Sequence, residues 1–79
     1  MNGLGNSNEE YLVLFSNIHK VMRAEHVLKS NAITYQVVPV PSAFSNECGM
    51  CIRLDSSKVD LALELLHEQN IEFRLVING

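Results

Sequence analysis

The chain has 79 residues, 47% of them apolar and 19% charged, with a formal net charge of −3. That length holds one hydrophobic core and not two, and the balance is that of a globular chain and not of a disordered one. The mild negative charge excludes the basic footprint of a nucleic-acid binder, and no apolar run reaches the roughly 18 residues that a membrane span needs.

Residues 1–9 are polar and rich in Gly and Asn and read as a flexible tail ahead of a single domain at 10–79. The start lacks the apolar stretch of a secretory signal, so the expected location is the cytoplasm. Tyr11 to Phe15 is a continuous apolar run of strand length and predicts a central strand buried on both faces. Ser16 or Asn17 supplies the N-cap of a helix. Its apolar stripe is Ile18, Val21, Met22 and Leu28, widened by Ala24 and Val27. Asn31 is placed to end the helix in a left-handed conformation.

Ile33 to Val40 is rich in β-branched residues and predicts a second strand. Pro39 and Pro41 confine it to a sheet edge. Ser42 to Glu47 forms a loop, and Cys48 or Met50 opens a third strand that runs to Leu54. Ser57 with Asp60 has the spacing of a capping box. Val59, Ala62, Leu63 and Leu66 give a second amphipathic helix that Asn70 ends, and Glu72 to Ile77 forms the last strand.

The order β-α-β-β-α-β is the ferredoxin-like pattern of an α+β domain, with both helices on one face of a four-stranded antiparallel sheet. A short echo between residues 31–37 and 70–75, with one residue removed, is consistent with a duplicated β-α-β unit. The other sheet face is expected to be open and partly apolar, which would suit a homodimer or another partner.

This topology brings chemistry into view. Cys48, at the start of strand three, falls at the same end of the sheet as Ser16, Asn17 and His19. A helix N-terminus there favours anions such as a thiolate, and thiols so placed have lowered pKa values and raised reactivity. His19 is the nearest candidate cation, with Lys20 and Arg23 behind it. Gly49 permits a tight turn that leaves the Cys48 thiol approachable, or else a plain β-bulge.

Cys48-Gly49-Met50-Cys51 has CxxC spacing; if both cysteines belong to a regular strand they point to opposite faces, too far apart for a disulfide, whereas a turn at Cys48-Gly49 would let them bridge. Separate roles are expected, with Cys48 the reactive thiol in the loop and Cys51 in the strand. Cys51 is read either as a second thiol acting with it or as a small apolar filler. A zinc site is not expected, because His19 and His26 lie two turns apart on one helix and His67 lies on the other. A thioredoxin arrangement is disfavoured because the motif precedes a strand. Glu25 lies near the apolar stripe, either orienting a His or Arg near the site or packing its stem while its carboxylate reaches water or Lys29. His26 and His67 read as surface residues, and Met22 and Met50 as core. No Ser-His-Asp set, phosphate loop or paired acid/base carboxylates suggest a hydrolase.

Phe15 to Glu25, then Val38-Pro39-Val40-Pro41, then Ser45-Asn46-Glu47-Cys48-Gly49 together resemble the family of selenium/sulfur carrier-like proteins, over about residues 11–76. The resemblance implies that Cys48 carries sulfur or selenium, that Gly49, Ser45 and Pro41 shape its loop, and that His19 and Glu25 match the helix motif. It implies a carrier more than an enzyme, working with no cofactor between a desulfurase-like donor protein and an acceptor protein. Cys51 could then serve as a resolving thiol. In this chain Ser42 follows the second Pro, where the family pattern has Arg. A non-catalytic interaction module, or a Cys48/Cys51 redox sensor, is the alternative.

Overall fold

A computed structural model describes residues 10–44 and 48–78, so the predicted tail at 1–9 lies outside the described residues. The elements follow the expected order: β1 (Glu10–Leu14), α1 (Ile18–Ser30), β2 (Tyr35–Pro39), β3 (Met50–Leu54), α2 (Val59–Glu68) and β4 (Arg74–Asn78). The strands form one sheet in the order β2-β3-β1-β4, antiparallel at every junction. β1 lies inside the sheet, and Leu12, Val13, Leu14 and Phe15 are all buried, which explains its unbroken apolar run. β2 lies at an edge, where the missing N–H of Pro39 is tolerated. It is shorter than Ile33 to Val40, because the turn that ends α1 uses Ile33 before pairing begins.

Both helices cover the same sheet face. Val21, Ala24 and Leu28 of α1 and Val59, Ala62 and Leu66 of α2 pack into one cluster with Val13, Ile52 and Leu54 of the sheet. The α1 stripe is narrower than expected. Met22 and Ile18 are 58% and 47% exposed, because successive helical residues are turned by about 100° and Met22 sits well round from Val21. Met50 is half-buried at the sheet end and not a core residue, whereas His26 and His67 are exposed as expected.

The two helices end alike at their C-termini and start differently. Asn17 caps α1, its side chain accepting from the Lys20 N–H at 3.0 Å. At the other end the Ile33 and Ala32 N–H groups donate to the Leu28 and Lys29 carbonyls at 2.9 and 3.1 Å, a Schellman motif. Its left-handed residue is Ala32, at φ +58°, and not Asn31, at φ −109°. In α2 the Ile71 and Asn70 N–H groups donate to the Leu66 and His67 carbonyls, both at 3.0 Å, and Asn70 is the left-handed residue, also at φ +58°. The capping box at Ser57 and Asp60 does not form. Lys58 is the N-cap, without a side-chain cap, and the Ser57 hydroxyl donates to Asp55 inside a turn closed by Lys58 N–H to Asp55 C=O at 2.8 Å.

The helix-free face is not an open apolar surface. Leu12, Leu14 and Cys51 are buried on it, packed with Val38, Val40, Phe44 and Val76. Phe44 reaches them because Pro41 C=O accepts from its N–H at 3.0 Å, closing a turn that folds the β2–β3 connection back over the sheet. Arg53 crosses the same face, donating to Glu10 at 3.3 Å and to Gln36.

Candidate functional site

The chain reverses direction between β2 and β3 through a segment that Gly49 makes possible. Gly49 adopts φ +82°, in the region that disfavours side chains, and its C=O accepts from the Val40 N–H at 3.1 Å. Cys48 precedes it. Its side chain is half-exposed and its inner side packs against the helix-side core. Leu14 pairs with Cys51, so the end of β1 and the start of β3 meet at one end of the sheet. Ser16, Asn17 and His19, which follow β1 and open α1, fall at that end and are exposed. The bond to Val40 also holds Pro41, half-buried, beside Gly49. The topology therefore brings together Cys48, Gly49, Pro41, Ser16, Asn17 and His19. Ser45 lies outside the described residues, and Ser42 is exposed within the Pro41–Phe44 turn.

One predicted residue lies elsewhere. Glu25 does not orient a His or Arg near Cys48. Its carboxylate accepts from the Tyr35 hydroxyl at 2.8 Å. Tyr35 pairs with Leu54, at the opposite end of the strand that begins at Met50, roughly 13 Å along the sheet from the cysteine turn. Burial and the Glu25 carboxylate push the Tyr35 phenol up to about 12, so it stays a donor to Glu25.

Cys51 is wholly buried on the helix-free face, whereas Cys48 packs on the helix side. The two pack into different clusters on opposite sides of the sheet, and both are thiols outside any disulfide. Burial, with the nearby Glu10 carboxylate and Cys48, pushes the Cys51 thiol up, and it stays protonated. It packs with Leu12, Leu14 and Phe44.

Phe44 escaped the sequence reading. Its signal was present: it is the one large apolar side chain in Ser42 to Glu47, just after a Pro that favours a turn. Among the described residues no group of His, Cys, Asp and Glu could hold a metal, and no helix is long and apolar enough to cross a membrane. A groove of about 310 Å³ lies between α1 and the end of α2, lined by Met22, Arg23, His26, Val27, Gln69 and Ile71; neither cysteine lines it. Arg23 spans it, donating to the Gln69 carbonyl at 3.1 Å, and Lys20 pairs with Glu72 at 2.9 Å.

A family model described as "Putative Se/S carrier protein-like" matches residues 10–77, which include Cys48 and all of the elements but the last residue of β4. No curated protein and no solved structure matches the chain significantly.

Proposed function

The chain belongs to the Se/S carrier protein-like family, and on that premise we propose that it carries a sulfur or selenium atom on Cys48 as a persulfide or selenyl-sulfide. The observation that carries this reading is the contrast between the two thiols. Cys48 is half-exposed on a glycine turn where α1 begins, and Cys51 is sealed in the sheet.

The chemistry asks little of the protein. The Cys48 thiolate attacks the outer sulfur of a donor persulfide. The donor S–S bond breaks, the donor thiolate leaves, and a new S–S bond forms at Cys48. An acceptor nucleophile then takes the same outer sulfur and returns the Cys48 thiolate, so Cys48 undergoes no net change of oxidation state over the cycle. Gly49 keeps the backbone beside Cys48 free of a side chain, and Ser16, Asn17 and His19 stand at the same end of the sheet to meet the anion. Pro41, held beside Gly49, shapes the near side of the loop, and the family resemblance adds Ser45 to the residues that would shape it. The reading is of a relay between a desulfurase-like donor and an acceptor, working in the cytoplasm. The element order and the strand order support calling the fold ferredoxin-like.

The test is persulfide loading read by intact mass on the wild-type chain and on Cys48→Ser and Cys51→Ala. Alkylation rates measured across a pH series complement it. Wild type and Cys51→Ala should each gain one sulfur mass, and Cys48→Ser should gain none. Equal loading of Cys48→Ser, or no loading of the wild type, would sink the assignment.

A further inference from the structure

The two helices expose faces of opposite character. α1 carries Lys20, Arg23 and Lys29 against a single carboxylate, Glu25, which accepts from Tyr35; Lys20 pairs with Glu72 and Arg23 donates to the Gln69 carbonyl within the chain, so Lys29, beside His26, gives the outward stripe its basic character. α2 carries Asp60, Glu64 and Glu68 and no lysine or arginine. Each outward face also has an apolar residue in the open: Met22 is 58% exposed on α1, and Leu61 is 47% exposed on α2. Met22, His26 and Lys29 fall along one stripe of α1 directed away from the buried Val21, Ala24 and Leu28, and Leu61, Glu64 and Glu68 do the same on α2.

We propose that the helical layer is the interface for a second copy of this chain, with α1 of each protomer lying on α2 of its partner. A two-fold axis makes this contact twice, so the basic stripe meets the acidic one on both sides of the axis. Met22 and Leu61 supply the apolar centre, and the charges form the rim. The helix-free sheet face is a poorer candidate, because Leu12, Leu14 and Cys51 are already covered within the protomer. The helices are about 20 and 15 Å long, so the layer offers a small to standard interface. Salt weakens it, because the rim charges are screened. This pairing does not depend on the chemistry of Cys48.

Sedimentation equilibrium on the full chain tests it, over concentrations from about 1 μM to 1 mM. Two charge-reversed variants, Glu64→Lys/Glu68→Lys and His26→Glu/Lys29→Glu, are measured alone and mixed, with circular dichroism confirming that each is folded. The expected result is a wild-type dimer, association weakened at least 10-fold in each variant alone, and a heterodimer on mixing, because the swap restores opposite charges at both contacts. A wild-type chain that stays monomeric throughout overturns the proposal. A dimer that both variants leave intact, or a mixture that stays monomeric, overturns it as well.

Discussion

Cys51→Ala separates the two thiols most directly. The Cys51 side chain is wholly buried between Leu12, Leu14 and Phe44 on the helix-free face. Removing its sulfur forfeits roughly 1–2 kcal/mol, from lost transfer energy and the small cavity left behind. In a domain of this size each kcal/mol lowers the melting temperature by about 4–8 °C. Cys51→Ser should be worse than Cys51→Ala, because a hydroxyl in that apolar setting adds a desolvation penalty of about 1–3 kcal/mol. Urea melts of the three chains measure the order. In the wild type, Cys51 should alkylate only through opening of the sheet. An opening free energy of about 3–5 kcal/mol slows it by about 10²–10⁴ relative to an exposed thiol, and its raised pKa slows it further. Persulfide loading of folded Cys51→Ala should equal that of the wild type. If Cys51→Ala folds but fails to load or release sulfur, or if Cys51→Ser is the more stable of the two variants, the filler assignment is wrong.

Three further predictions concern the backbone and the Tyr35 pair. Gly49→Ala should destabilise by about 1–2 kcal/mol, and the cause is φ +82° rather than crowding, since an added Cβ would meet nothing within 4 Å; a chemical melt unchanged from wild type contradicts this. Ala32→Gly should stabilise by about 0.5–1 kcal/mol by relieving a left-handed alanine, while Asn70→Gly should gain less because Asn tolerates that conformation; equal effects in the two melts would argue against the cap geometry. Burial and the Glu25 carboxylate push the Tyr35 phenol from its ordinary 10.0 up to about 12, so its contribution to stability is complete below pH 10 and is lost as pH rises from 10 to 12. Phenolate absorbance should show the Tyr35 titration moving down in Glu25→Gln without reaching 10, because burial remains the larger cause; an unmoved titration refutes the pairing.

Much of this was legible because period and punctuation agree. The run from Tyr11 to Phe15 announces an interior strand, Pro39 an edge, and Asn17 a helix start, and each is a local signal that tertiary structure did not need to override. The failures are of a different kind. Glu25 lies on the correct helix, but its partner Tyr35 is set by the β2–β3 register, which no local pattern encodes. Met22 fits a loose apolar stripe, and only the packing of Val21, Ala24 and Leu28 on the sheet decides which edge of that stripe faces solvent. The open face was misjudged because the covering residue, Phe44, lies in a loop where hydrophobic period carries no information. Cys51 was readable as far as strand alternation goes: once β3 begins at Met50, Cys51 must point away from the helices.

The repeat within the chain also bears on the site. In the structure Leu28, Lys29, Ala32 and Ile33 occupy the cap positions that Leu66, His67, Asn70 and Ile71 occupy in the second half, with no gap between them. The unequal residue lies beyond the cap, since β2 starts two residues after Ile33 and β4 starts three after Ile71. The halves β1-α1-β2 and β3-α2-β4 therefore share element order and the C-terminal cap of their helices. The segment joining them, from Val40 to Gly49, has no place in either unit. Its Phe44 seals one face of the sheet and its Cys48 stands at the other, so the connection both closes the core and presents the thiol. Among its described residues, Phe44 and Cys48 touch the core from opposite faces of the sheet, so the Pro41–Phe44 turn and Gly49, and not either repeated unit, set where the thiol stands.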